Sequence, residues 1–233
     1  MRKVKMLVLA ALIVACLAAG DVAARSWAVD ELRDYAAAYY PPGTAAFASI
    51  DSFPFVGRLL VAGRVPEVSV SMEGLRYDPL VVRRLRLDLF DVDVDRAELT
   101  SGRVRLLDVG RGHVEALVDG ASIARATGAD LRFSNGRVEI HRQVEGVDVS
   151  ATFEPRITGD TLVLRPTAVD TAGVPLDSFA ITYPIPGAAL LPCDAGAYPT
   201  EEGLVFECEI DDVPAALVQA ASALVDGTVH FGR

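Results

Sequence analysis

Histidine, serine and cysteine are the side chains that most often perform chemistry, and in this chain they form no recognised catalytic motif. The three histidines, His113, His141 and His230, lie far apart and have no evident serine or cysteine partner. A nucleophile needs a base within hydrogen-bonding reach. The sequence has no nucleophile elbow, zinc-protease helix or phosphate-binding loop. It therefore assigns no catalytic residue, although a triad assembled by the fold stays open.

Asp91, Asp93 and Asp95 alternate along a predicted strand and superficially resemble a calcium-binding loop. That loop requires glycine where Arg96 stands and glutamate where Gly102 stands. The favoured interpretation is a solvated strand face close to arginines. The sequence therefore predicts no metal and no cofactor.

The three cysteines suggest two different roles. Cys193 and Cys208 flank a turn-rich stretch, and paired thiols outside the cytoplasm are usually oxidised. We predict a disulfide between them, with two buried free thiols as the alternative. Cys16 ends the sequence Ile-Val-Ala-Cys, which resembles a bacterial lipobox, so lipidation of Cys16 is a further hypothesis. Its alternative is a cysteine that merely lies in an apolar run.

Residues 1–20 have the organisation of an export signal. Arg2, Lys3 and Lys5 precede an apolar run from Met6 to Ala19, which would span about 21 Å as a helix. The hydrocarbon core of a bilayer is roughly 30 Å thick, so a secretory signal is favoured over a spanning helix. We expect residues 1–20 to be a signal peptide or membrane anchor, and residues 21–233 to be one domain outside the cytoplasm, in the cell envelope. That domain would be membrane-anchored, lipidated or secreted.

The remaining chain is acidic and apolar enough to form a core. The formal net charge is −10, and removing the three leader cations makes the body more negative still. Such a body is not drawn to nucleic acid, so we expect no nucleic-acid partner. Arginine is the only basic residue after Lys5, apart from histidine. With the many alanines, valines and glycines, this indicates a GC-rich genome such as that of an actinobacterium.

Helical periodicity and capping residues predict a few helices. Residues 21–40 have apolar side chains at helical spacing, and a Pro-Pro-Gly sequence follows them. Ser52 is a candidate cap for a short helix that Gly63 ends. Asp119 is a candidate cap for another short helix, and a last helix is predicted over residues 213–225.

Alternation of apolar and polar residues predicts strands through most of the chain after Gly63. Leu85, Leu87 and Leu89 share one face, but the alternation then continues on the other parity, which indicates a bulge or an exchange of faces. Asn135-Gly136 predicts a hairpin turn. Residues 183–200 are predicted to be a long surface loop, tied by the disulfide or acting as a gate.

These elements predict an α+β fold with one strongly curved, mostly antiparallel sheet wrapped against one or two helices. The inward apolar side chains form either a solid core or a groove for acyl chains. Arg64, Arg83 and Arg84 are candidates for contacting a lipid headgroup. The candidate lining residues are Phe53, Phe55, Leu59, Leu60, Val68, Val70, Leu85, Leu87, Leu89, Phe133 and Phe153.

Several segments form a recognisable pattern: Ser52-Phe53-Pro54-Phe55, Leu59-Leu60, residues 63–68, residues 99–104 and the short helix after Val118. Together they resemble the LmeA-like family of actinobacterial cell-envelope proteins. The family more often has glycine where Ser52 stands. The resemblance covers about two thirds of the chain and weakens after Val169, and the two late cysteines lie outside it.

This resemblance implies a tubular lipid-binding type of fold, binding of phospholipid or another membrane lipid, and a role in maintaining envelope lipids and mannosylated lipoglycans. A phospholipase activity is attributed to the family, but no motif here carries it over. The enzyme assignment therefore leans towards no. The alternatives are a phospholipid hydrolase with an unrecognised site and an accessory scaffold, without bound lipid, for a membrane glycosyltransferase. The plasma membrane is an expected partner through the N-terminal segment, and no protein partner is identified.

Overall fold

The computed structural model describes the chain except residues 1, 40–43, 101–104, 135, 145–146, 160, 170–179, 185–192, 194, 217 and 220–233. This part of the chain has four helices and eleven strands with the bounds given below, and residues 215–216 and 218–219 are also helical. The helices are α1 (Arg2–Tyr39), α2 (Phe55–Gly57, continued by a π-helical segment, Arg58–Ala62), α3 (Arg96–Thr100) and α4 (Gly120–Thr127). The strands are β1 (Ala45–Asp51), β2 (Arg64–Tyr77), β3 (Leu80–Val94), β4 (Leu106–Asp119), β5 (Asp130–Ser134), β6 (Arg137–Val144), β7 (Val147–Thr158), β8 (Thr161–Val169), β9 (Ile181–Pro184), β10 (Gly196–Thr200) and β11 (Gly203–Ile210).

The fold is α+β with a strongly curled antiparallel sheet and a few helices, which confirms the predicted fold class. Hydrogen bonding divides the strands into two sheets. One has six strands in the order β1-β2-β3-β4-β11-β10, and the other is a five-stranded meander from β5 to β9. The long strands β2, β3 and β4 all belong to the first sheet. Along the chain, helix α4 lies between β4 and β5, the first strand of the second sheet.

Turn and cap residues lie where their chemistry requires them. The Asp119 carboxylate accepts a hydrogen bond from the Ser122 amide (2.9 Å) and begins α4, while Gly128 ends it in the left-handed conformation. Gly63 ends the π-helical segment in the same way. Ser134 pairs with Arg137 at the end of the predicted hairpin. These local predictions are confirmed.

Two apolar cores lie at opposite ends of the long strands. The first, here called the α4 core, packs α4 against the five-stranded sheet. The second, the α2 core, packs α1, α2 and the residues after β11 against the other end of the six-stranded sheet. Val118 belongs to the α4 core and Val109 to the α2 core. They lie on the same strand, about 30 Å apart along it.

The change of alternation in β3 coincides with a backbone feature at Asp91. Asp91 has a positive φ of 53°, and the pairings with β2 and β4 continue on both sides of it without a register shift. Leu89 and Val92, which have opposite parity, both pack against the α2 core. The strand therefore exchanges faces at Asp91, the second of the two expected explanations. Gly110 lies close by, where a Cβ atom would stand 3.2 Å from that of Asp91.

Some elements differ from the sequence predictions. Helix α1 is continuous from Arg2 rather than beginning at residue 21. Strand β1 has no counterpart in those predictions, and the predicted loop over residues 183–200 contains strand β10. Strand β10 pairs with β11 at the sheet edge, so a distant partner supplies the hydrogen bonds that its Gly- and Pro-containing sequence does not predict. In the predicted helix over residues 213–225, residues 215–216 and 218–219 are helical, and residues 217 and 220–225 lie outside the described residues.

Candidate functional site

The strand register assembles a continuous apolar face on the six-stranded sheet. Each of five neighbouring strands contributes three residues to this face, and directly opposed residues share it. The three cross-strand rows are Ile50–Val68–Leu89–Gly112–Ile210, Ala48–Val70–Leu87–Val114–Cys208 and Ala46–Met72–Leu85–Ala116–Phe206. No polar side chain stands in these rows. The apolar face combines residues of strands β1 to β4 with residues of β11, near the other end of the chain.

The other face of the same strands is largely polar. It carries Ser69, Ser71, Arg86, Glu115 and Glu207 between the apolar positions. A sheet that is polar on one side and apolar on the other buries its apolar side against something, because exposed apolar area costs free energy.

The middle of the apolar face belongs to neither core, as far as the described chain defines them. Ile50, Val68, Leu89 and Val114 pack at the margin of the α2 core, and Phe206 packs at the margin of the α4 core. Between them lie Ala46, Ala48, Val70, Met72, Leu85, Leu87 and Ala116. Of these seven side chains only Met72 is buried, and the others are half-buried. Within the part of the chain that the structure describes, the centre of the apolar face is therefore only partly covered.

The structure divides the predicted lining residues among three places. Val68, Val70, Leu85, Leu87 and Leu89 all lie on the apolar face. Another four lie in or against the cores, and two are exposed at the β1–β2 connection. Phe55 and Leu59 pack in the α2 core and Phe133 and Phe153 in the α4 core, whereas Phe53 and Leu60 are 64% and 55% exposed.

Sequence reasoning missed the alanines of the apolar face and its contributions from β4 and β11. Ala46 and Ala48 alternate with Phe47 and Ser49, but an alanine-rich stretch has low strand propensity. Their small side chains matter here because they leave room above the sheet. Alternation over residues 45–51 was the signal available.

The three arginines proposed for a headgroup do not form one site. Arg64 and Arg84 lie towards opposite ends of the β2–β3 hairpin, where Arg64 is opposite Asp93 and Arg84 is opposite Glu73. The two arginines are roughly 30 Å apart along the strands. Arg83 forms ion pairs with Asp119 (2.6 Å) and Glu202 (3.4 Å), which tie β3 to α4 and to the turn before β11. Arg84 is exposed.

Arg64 lies beside a cleft of about 730 Å³, which is also lined by Leu60, Arg96 and Leu107. The guanidinium donates hydrogen bonds to both carboxylate oxygens of Asp93, at 2.7 and 2.9 Å. These hydrogen bonds hold the pKa of the Asp93 carboxyl below its ordinary value, although partial burial opposes the shift. The pair also raises the pKa of Arg64. This arginine is therefore already engaged by a carboxylate.

The histidines contact acidic residues. His113 Nδ1 lies 2.7 Å from a Glu209 carboxylate oxygen on the polar face of the sheet. Ser69 shares the cross-strand row of His113 but stands two strands away, roughly 10 Å. His141 Nε2 lies 3.9 Å from Glu139, and His230 is outside the described residues. The hydrolase alternative stays a prediction.

Two of the three alternating aspartates at the end of β3 have partners in the structure. Asp93 pairs with Arg64, and the Asp95 carboxylate accepts a hydrogen bond from the Ala97 amide at the start of α3 (2.9 Å). Within the described ranges no group of histidine, cysteine and acidic residues is arranged to hold a metal ion.

Two long-range links fix the α2 end of the apolar face. The predicted disulfide between Cys193 and Cys208 is present, and Cys208 lies on the apolar face opposite Val114. The buried carboxylate of Asp21 accepts hydrogen bonds from the backbone amides of Phe55 (2.9 Å) and Val56 (2.7 Å). Asp21 in α1 thus performs the helix-capping role that the sequence predicted for Ser52.

Comparisons with known proteins give one match. The family model described as LmeA-like phospholipid-binding matches residues 20–204 of the 233 residues. No curated protein and no solved structure matches the chain. The matched range contains the capping residue Asp21, the whole of β1 to β10 and the start of β11.

Proposed function

Because the chain belongs to the LmeA-like phospholipid-binding family, we propose that it binds a phospholipid by laying acyl chains along the apolar face of the six-stranded sheet. The observation that carries this proposal is the incompletely covered centre of that face. There, side chains from β1, β2, β3 and β4 are apolar and, apart from the buried Met72, half-buried, between two separate cores.

The free energy of acyl-chain burial is large enough to support such binding. Each buried methylene contributes about 0.8 kcal/mol, so a chain of sixteen carbons gains on the order of 12 kcal/mol before ordering costs. The acyl chain requires a dry apolar surface, because it offers no hydrogen-bonding partner to polar groups of the protein. The absence of polar residues from the three rows fits this requirement.

Filling the space above the apolar face tests the proposal. Ala48→Trp places a large ring in the central row, whereas Ser49→Trp places the same ring on the opposite side of the same strand. We expect native mass spectrometry to find phospholipid on the wild-type protein and on Ser49→Trp, and little or none on Ala48→Trp. Circular dichroism establishes that each variant is folded.

A second matched pair guards against a local effect at the sheet edge. Ala116→Trp fills the same face from β4, and Glu115→Trp is its control on the polar side. Retention of wild-type amounts of lipid by both folded face variants would contradict binding at this surface.

We further propose that the protein works in the cell envelope, where it helps to maintain envelope lipids and lipoglycans. The arrangement of residues 1–20 supports export, with Cys16 as a lipidation site. Within the residues that the structure describes, no helix is both long and apolar enough to cross a bilayer. The mass of the mature N-terminal peptide distinguishes a cleaved signal, an acylated Cys16 and an intact leader.

The envelope role has a genetic test. A deletion strain complemented with wild-type protein should recover its lipoglycan content, and one complemented with Ala48→Trp should not. Equal recovery with both would separate the envelope role from lipid binding at the apolar face.

A further inference from the structure

A cluster of exposed apolar side chains lies at the α2 end of the molecule, away from the centre of the apolar face. Phe53, Leu60, Val61 and Leu107, here called the tip, are 64%, 55%, 76% and 55% exposed. Leu60 and Leu107 line the same cleft, and Val61 follows Leu60 in the π-helical segment. Exposed apolar clusters of this kind usually mark a surface that meets a partner or a membrane.

Arginines lie next to the tip, and the two aspartates that line its cleft, Asp93 and Asp95, are bonded to Arg64 and to the Ala97 amide. Arg58 and Arg96 are exposed, and the Arg96 guanidinium donates a hydrogen bond to the Val61 carbonyl oxygen (2.8 Å). Arg105 is exposed next to the start of β4. Guanidinium groups bind phosphate oxygens through paired hydrogen bonds and remain charged under all physiological conditions. Exposed apolar side chains with arginines beside them match the interface of a phospholipid bilayer, where hydrocarbon lies beneath phosphate.

Helix α1 leaves the body at the same end. Asp21 is bonded to the amides of Phe55 and Val56, just before the π-helical segment. Residues 14–20 extend about 10 Å beyond that point. Most of their side chains are exposed, including Val14 at 65% and Leu17 at 69%. The apolar start of the chain and the tip therefore approach a membrane from the same direction.

We propose that the tip is the surface by which this protein docks on a phospholipid bilayer. Phe53, Leu60 and Val61 enter the interfacial layer, and the neighbouring arginines contact lipid phosphates. The acidic remainder of the body is repelled by anionic lipid, so the molecule stands with its α2 end on the membrane. Docking and acyl-chain binding use different residues, so each can fail without the other.

Depth-dependent fluorescence quenching tests the docking surface in the full-length chain. Trp27 is the only tryptophan, so Trp27→Phe gives a background in which Val61→Trp reports on the tip. Tyr77→Trp is the matched control, because Tyr77 is exposed at the opposite end of β2. The vesicles contain equal parts of phosphatidylcholine and phosphatidylglycerol with brominated acyl chains.

We expect vesicle-bound Val61→Trp to lose most of its emission to the brominated chains, and Tyr77→Trp to keep its emission. Adding Arg58→Glu to the tip reporter should reduce the quenching on these anionic vesicles. Vesicle-bound protein with an unquenched tip would show that the N-terminal segment alone holds it, which overturns the proposal. Equal quenching of the two reporters would overturn it as well, because the molecule would then have no preferred orientation.

Discussion

At the scale of single residues, Asp21 shows how one carboxylate can join distant parts of the chain. It is 7% exposed and accepts two backbone amide hydrogen bonds from the start of α2. Those amides have no partner within so short a helix, and a buried amide without a partner is costly. Asp21 therefore holds α1 against the β1–β2 connection that carries the family signature.

Asp21→Ala should lower the free energy of unfolding by about 2 kcal/mol, because one buried and one partly buried amide lose a charged acceptor. Urea denaturation followed by circular dichroism measures the loss. Asp30→Ala is the control, since Asp30 is exposed on the same helix and forms only a surface ion pair with Arg33. Similar losses in the two variants would contradict the capping role.

The Arg64–Asp93 pair should give a pH-dependent contribution to stability. Arg64 lowers the pKa of Asp93 in the folded protein, so the contribution is present above the ordinary aspartate pKa and is lost as pH falls through the lowered value. Arg64→Gln should therefore lower the melting temperature slightly at neutral pH, and the difference from wild type should shrink under strongly acidic conditions. Arg84→Gln, which changes another exposed arginine of this hairpin, should not show that pattern.

At the scale of elements, the junctions between strands are set by close backbone contacts. Gly203 begins β11 opposite Asp119, with a positive φ of 152°. A Cβ atom at this position would overlap the Val118 carbonyl oxygen. This approach aligns β11 with β4 and so places Phe206, Cys208 and Ile210 on the apolar face.

Gly203→Ala should destabilise the fold by about 3 kcal/mol or more, since backbone strain and a backbone clash act together. Gly159→Ala separates the two effects. Gly159 has a positive φ of 61°, and a Cβ atom added there would meet no other atom within 4 Å, so its cost should be about 1 kcal/mol. If urea denaturation gave the same loss of unfolding free energy for Gly203→Ala and Gly159→Ala, a local shift of the backbone would have relieved the contact at Gly203.

At the scale of the whole molecule, two cores at opposite ends leave a half-covered apolar surface between them. A ligand that binds the folded state alone raises its stability by mass action, by about 2.7 kcal/mol at a hundred times the dissociation constant. A short-chain phosphatidylcholine, kept below its micelle concentration, should therefore raise the melting temperature of the wild-type protein and of Ser49→Trp. An equal rise in Ala48→Trp would contradict binding at the apolar face.

The sequence determined the features that depend on neighbours along the chain. Alternation predicted β2 and the first part of β3, Asn135-Gly136 predicted the hairpin, and Asp119 marked the start of α4. The disulfide also followed from the cysteines. Each of these rests on a short-range preference of backbone conformation or on thiol chemistry.

Only the tertiary structure decided which residues meet. Ala48, Val70, Leu87, Val114 and Cys208 form one row because β11 pairs on one side with β4, a strand distant in sequence, and on the other side with its neighbour β10. Strand pairing over such distances depends on register and on loop closure, which local patterns do not encode. The same assembly left Phe53 and Leu60 exposed at the tip and placed Phe153 in a separate core.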